Sequence, residues 1–194
     1  MLERQPKNIY TYRDYLLLPE GKRVELIEGE FVAMTPSPST RHQQVLGNLF
    51  YEFKKQNLKG CLIFLAPFDV RLTELGENPE EIKNVVQPDL SIICDPKKID
   101  EKGCIGTPDL IVEVISPGSA ARDLITKLRL YEKFKVKEYW IVHPLDEIVM
   151  VYCLNQEGFY GRPEIYSRED KIKPGIFRDD VEVEIDLQKV FAEE

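Results

Sequence analysis

Two short runs constrain the fold more than any other feature of the chain: Asp89-Leu90-Ser91-Ile92-Ile93-Cys94 and Asp109-Leu110-Ile111-Val112-Glu113-Val114-Ile115. Both are dense in β-branched residues and lack polar alternation, as central strands covered on both faces should. Ser116-Pro117-Gly118-Ser119 ends the second run, and a helical pattern follows from about Ala120 to Phe134, with Leu124, Ile125, Leu128 and Tyr131 inward. Glu138-Tyr139-Trp140-Ile141-Val142 comes next. Strand, crossover helix and strand in that order predict a parallel pair.

The remaining segments build around this unit. Thr11-Tyr12-Arg13-Asp14 reads as a capping box opening a short helix through Leu18, stopped by Pro19 and Gly21. Glu28-Gly29-Glu30 between two apolar stretches signals a hairpin. After Pro36-Ser37-Pro38-Ser39, a helix of about eighteen residues buries Val45, Leu46, Leu49, Phe50 and Phe53. Leu62-Ile63-Phe64-Leu65 is a buried strand, with Asp69-Val70-Arg71-Leu72 as its expected neighbour and an acidic loop between Thr73 and Asn84. Ile148 to Tyr152 reads as a further strand, Val181 to Ile185 as a late one, and Asp186 as the cap of a terminal helix. The expected fold is α/β: a mixed central β-sheet flanked by helices, with additional antiparallel strands. It forms one domain over 1–194, its core over about 20–153.

Composition narrows the function. A net charge of −8 and a pI near 5.0 disfavour a protein that grips nucleic acid by a broad basic surface. They leave room for a nuclease whose bound cation supplies positive potential locally. The first eight residues show no apolar signal region and the run Cys61 to Ala66 is too short to span a bilayer, so no membrane association and a cytoplasmic location are expected. Cys61, Cys94, Cys104 and Cys153 have no metal-ligand spacing and read as thiols in a reducing compartment.

Two carboxylates stand out by their surroundings. Asp89 follows Pro88 at the head of one apolar strand, and Glu113 sits between Val112 and Val114 inside another. A carboxylate there is costly without a cation or hydrogen-bond donors. Adjacent strands would bring the two to one hard divalent cation, which takes oxygen ligands and keeps several waters. Lys127, with Asp123 and Tyr131, forms an i, i+4, i+8 row on the following helix, able to aim an ammonium at the carboxylates.

At these residues the chain resembles the PD-(D/E)XK motif of the restriction-endonuclease-like superfamily: Pro88-Asp89, then Glu113-Val114-Ile115. More closely, it is similar to bacterial restriction-endonuclease-like domains long filed as of unknown function. The matching segments are Glu25 to Glu30, Met34 to Pro38 with His42, Gln87 to Ser91, Pro108 to Pro117, and Arg122-Asp123 with Lys127 and Tyr131. The superfamily lysine belongs where Ile115 stands; Lys127 matches the position that related families use on the next helix. The resemblance implies Asp89, Glu113 and the Val114 carbonyl as ligands of Mg²⁺, with Mn²⁺ as a substitute, and Lys127 positioning water or stabilising charge. It also marks Glu28, His42 and Tyr131 as residues around that centre.

Each assignment has a plainer counterpart. Glu113 would otherwise be a structural ion pair with Arg122, Lys127 or Arg129, and Asp89 a strand-entry residue satisfied by backbone N–H groups. Asp109, also after a proline, is a rival for the motif aspartate. His42 is also read as a helix-cap contact, Glu28 as a turn carboxylate and Tyr131 as core. No Gly-rich phosphate loop, G-x-S-x-G elbow or H-E-x-x-H is present. The function expected is metal-dependent endonucleolytic hydrolysis of DNA, in a chain that a homodimer would suit. An inactive module for protein or nucleic-acid association and a phosphodiesterase acting on RNA or a nucleotide are the alternatives.

Overall fold

A computed structural model describes residues 9–19, 21–34, 38–56, 58, 60–74, 76–116, 122–177 and 183–193, without the side chains of 122 and 123. The chain runs α1 (Tyr12–Tyr15), β1 (Val24–Ile27), β2 (Glu30–Ala33), α2 (Thr40–Lys54), β3 (Leu62–Leu65), β4 (Val70–Arg71), β5 (Val85–Val86) and β6 (Leu90–Ile93). It continues through β7 (Ile99–Asp100), β8 (Gly103–Ile105), β9 (Leu110–Val114), α3 (Leu128–Lys133), β10 (Glu138–His143) and β11 (Ile148–Cys153). Last come β12 (Glu164–Ser167), β13 (Lys171–Ile172), β14 (Ile185–Asp186) and α4 (Leu187–Val190).

Local chemistry sets several boundaries. The Asp14 carboxylate accepts the Thr11 N–H at 2.8 Å and the Thr11 hydroxyl at 3.1 Å, which closes the first turn of α1. Ile27 pairs with Glu30, so β1 and β2 join through two residues, Glu28 at φ 49° and Gly29 at φ 78°. Positive φ at both positions is what a right-twisted two-residue hairpin demands. Ser39 caps α2 by accepting the His42 N–H at 3.2 Å, and Asp186 caps α4 through the Gln188 N–H.

Among the described residues the strands form two six-stranded sheets, ordered β2-β1-β5-β4-β8-β7 and β12-β11-β10-β9-β6-β3, and a ribbon of β13 and β14. The second sheet is mixed. β9 and β10 run parallel, Leu110 beside Glu138 to Val114 beside Val142, while β6 lies antiparallel to β9. One face carries Leu110, Val112, Val114 and Trp140 into a core with Val45, Leu49 and Phe53 of α2 and Val190 of α4. The opposite face carries Ile111, Tyr139 and Ile141 into a second core with Tyr131 of α3 and Ile27 and Val70 of the first sheet. Alternation along β9 therefore puts Glu113 on the side of Tyr131, beneath α3.

Three expectations change. Val70–Arg71 is not the neighbour of β3; it lies in the other sheet, between β5 and β8. The segment entering α3 is π-helical from Arg122 to Lys127, which displaces the helical face, so Ile125 is 53% exposed rather than inward. The late strand is shorter than its alternation suggested, with pairing at Ile185 and Asp186; Val181 and Glu182 lie outside the described residues.

The cysteines need a further correction. Leu62 pairs with Ile93, so the next position on each strand sets Cys61 opposite Cys94, and the two form a disulfide. Their separation of 33 residues carries no signature in sequence; register alone brings them together. Cys104 remains a thiol, buried, with its pKa pushed up to about 12 by burial. A cross-link closing a loop of this length is expected to stabilise the fold by about 3–4 kcal/mol. Urea unfolding of the oxidised protein beside Cys61→Ser/Cys94→Ser should show that difference; coincident midpoints would contradict it.

Candidate metal and phosphodiesterase site

The register of β6 and β9 organises the site. Leu90 faces Val112, Ser91 faces Ile111 and Ile92 faces Leu110, and the same register carried one step beyond the ladder would set Asp89 opposite Glu113. Directly opposed residues share a face with Cβ atoms about 4.5–5.5 Å apart. Asp89 Oδ2 accepts the Val114 N–H at 2.8 Å, so the side chain continues the ladder where β6 begins. His42, in the first turn of α2, brings Nε2 to 3.2 Å from the same oxygen. Among the described residues, no hydrogen bond reaches Asp89 Oδ1, and the side chain is 21% exposed.

Glu113 is buried and well supplied with donors. Its Oε1 accepts Lys127 Nζ at 2.8 Å and the Tyr131 hydroxyl at 2.8 Å. Lys127 and Tyr131 stand one helical turn apart where the π-helical segment passes into α3, so one face delivers both. Burial raises the Tyr131 pKa well above the ordinary phenol value and the Glu113 charge adds to it, so the hydroxyl stays a donor. Of the three cations considered for Glu113, Lys127 takes the role; Arg129 is exposed, and the Arg122 and Asp123 side chains lie outside the described residues.

Two groups at the centre had no role assigned from sequence. Glu25 of β1, buried to 1% exposure, forms an ion pair through Oε1 with Lys127 Nζ at 2.9 Å. The same oxygen accepts the N–H of Gln87, the residue before Pro88, at 3.0 Å. The signal was a lone carboxylate in the apolar run Val24-Glu25-Leu26-Ile27, the same anomaly that singles out Glu113. Glu28 lies apart: its side chain is 69% exposed on the hairpin, and among the described residues its nearest cation is Lys133 at 3.9 Å. Asp109 sits at the other end of β9, where it accepts the Cys94 N–H and Lys137 Nζ, a strand-end brace away from Glu113.

This donor set suits a hard cation. Three carboxylates and one ammonium leave two formal negative charges among the described side chains of the cluster. Among the described residues no three His, Cys, Asp or Glu side chains converge as ligands. Two opposed carboxylates with the balance made up by backbone oxygen and water are typical of Mg²⁺ rather than of structural zinc.

A family model described as "Uma2: Putative restriction endonuclease" matches residues 12–187. The chain belongs to the Uma2 family. The match runs from α1 into α4 and so includes Asp89, Glu113 and Lys127. An uncharacterized protein of Synechocystis sp. is 34% identical over 91 residues, 44% of this chain and 48% of that protein. The chain thus spans about half the length of this curated relative. A crystal structure of "a putative nuclease belonging to DUF820" from Anabaena variabilis superposes with a TM-score of 0.67 at 20% identity, covering 93% of this chain and 97% of that one. That likeness shows the fold: a restriction-endonuclease-like α/β architecture. Among the described residues no helix is long and apolar enough to cross a membrane.

Proposed function

We propose that this Uma2 chain is a divalent-metal-dependent endonuclease that hydrolyses phosphodiester bonds, with DNA as substrate. The observation that carries this reading is the Asp89 carboxylate on the Val114 N–H, the residue next to Glu113, with Lys127 on Glu113. Asp89, Glu113 and the Val114 carbonyl would hold Mg²⁺, with Mn²⁺ able to replace it. When bound, such an ion acidifies a water for attack on phosphorus and offsets charge on the phosphoryl oxygens.

The chain's own groups do the positioning. His42 and the Val114 N–H fix Asp89 through Oδ2, and Tyr131 and Lys127 fix Glu113 through Oε1. The Lys127 ammonium is the cation on hand to steady an attacking water or the charge that develops on phosphate. It takes the place of a lysine two residues after Glu113, where this chain has Ile115 packed in the second core. With a net charge of −8, nucleic acid would be held at this centre more than by the surface at large. A homodimer would present two such sites to two strands.

Supercoiled plasmid and single-stranded DNA incubated with Mg²⁺ or Mn²⁺ test the reading. Nicking or linearisation that stops on chelation is expected. Cleavage that persists in chelator, or none with either ion, contradicts it, and cleavage of RNA or nucleotides alone would change the substrate. One observation favours a second reading, an inactive module for protein or nucleic-acid association: Lys127, 4% exposed, already spans Glu25 and Glu113 as a structural ion-pair network would. That reading expects no divalent ion to bind at Asp89 and Glu113.

A further inference from the structure

We propose that Glu25 is a positioning residue of this centre: it shares Lys127 with Glu113 and sets the entry of the Pro-Asp segment. The inference rests on the metal-dependent reading above. Glu25 comes from β1 in the first sheet, whereas Glu113 lies in β9 of the second sheet and Asp89 immediately precedes β6 of that sheet. One oxygen, Glu25 Oε1, serves two parts of the site. It accepts the Gln87 N–H at 3.0 Å, two residues from Asp89, and Lys127 Nζ at 2.9 Å. The ammonium therefore lies almost equally between Glu25 and Glu113, at 2.9 and 2.8 Å.

That near-equality has a chemical consequence. An ammonium held by Glu113 alone would compete directly with a cation for the same carboxylate. Shared with Glu25, it can keep one charge-assisted hydrogen bond while Glu113 turns to the ion. Glu25 is 1% exposed, so no solvent takes its place beside the ammonium. The Gln87 contact uses the backbone and asks only for an acceptor oxygen, whereas the Lys127 contact asks for charge. Glu25→Gln separates the two, because an amide oxygen still receives the Gln87 N–H.

Mn²⁺ titration calorimetry and steady-state cleavage of a DNA oligonucleotide are the measurements, on the wild-type protein, Glu25→Gln, Lys127→Gln and the double variant. Loss of an outer residue that orients metal ligands weakens affinity by roughly 10-fold to 100-fold. Glu25→Gln is expected to weaken Mn²⁺ binding and lower kcat within that range with KM little changed. In the Lys127→Gln background the same substitution should leave Mn²⁺ affinity unaltered within about 2-fold, because its effect passes through the ammonium. Unchanged Mn²⁺ affinity in Glu25→Gln overturns the proposal, and so does an undiminished effect in the Lys127→Gln background, which would make Glu25 a simple source of charge. Should Glu25→Gln fail to fold, Glu25→Asp takes its place, with a smaller loss in the same direction expected and unchanged affinity overturning the proposal. A wild-type protein that takes no Mn²⁺ overturns the metal reading itself, an outcome distinct from a wild type that binds and a variant that binds equally.

Discussion

Asp89→Ala and Glu113→Gln are each expected to reduce metal-dependent cleavage by about 10³-fold or more, with the protein still folded. The magnitude follows from removing a ligand: the ion's contribution is several kcal/mol of transition-state stabilisation, and each 1.36 kcal/mol is a decade in rate. Both variants should retain their folds, for different reasons. Asp89 is partly exposed, and its loss costs the Val114 N–H one acceptor at a strand end. Glu113→Gln keeps an oxygen for Lys127 and Tyr131 while removing the charge a metal needs. Cleavage assays on both, with circular dichroism alongside, provide the check. Activity retained in either variant would remove that carboxylate from the site.

The second large effect is on stability. Lys127→Met is expected to lower the unfolding free energy by about 3–5 kcal/mol, since truncating one member of a buried ion pair strands its partner. Here two carboxylates lose their shared cation, Glu25 at 1% and Glu113 at 4% exposure. Urea denaturation at neutral pH measures this. A loss below about 1 kcal/mol, the range of exposed ion pairs, would mean that Lys127 is not the structural counter-ion described. The same variant should lose cleavage, but the stability result stands without any knowledge of the substrate.

What the sequence conveyed follows from which forces act locally. The parallel pair of β9 and β10 was legible because Ile111, Val112 and Val114 face both cores and the crossover has helical period. Asp89 and Glu113 were legible because a carboxylate among β-branched residues is anomalous, and Lys127 and Tyr131 because helical spacing aligns them. Other features depend on register between segments distant in the chain. The Cys61–Cys94 bridge exists because Leu62 pairs with Ile93, which no spacing rule encodes. Val70–Arg71 went to the first sheet because Val85–Val86 and Gly103–Ile105 offered it partners on both sides, a choice made in tertiary structure. Ile125 turned outward because the helix begins with π-helical turns, and a period of 3.6 fails there.

Glu25 and Glu28 show the limit most clearly. They lie three residues apart beside one hairpin, and it is the family resemblance that points to the turn residue. The strand residue is the one that meets Lys127, because β1 buries its Glu25 side against the second sheet's site. All four residues of β1 are buried, and what its Glu25 side meets depends on how the two sheets assemble, which no local pattern encodes.

Calorimetric titration of Mn²⁺ into the wild-type protein and into Asp89→Ala and Glu113→Gln tests the central claim most directly. The expected result is saturable binding to the wild-type chain that each substitution abolishes or weakens by at least about 10-fold. Binding of equal strength in all three proteins, or none in the wild type, would contradict it.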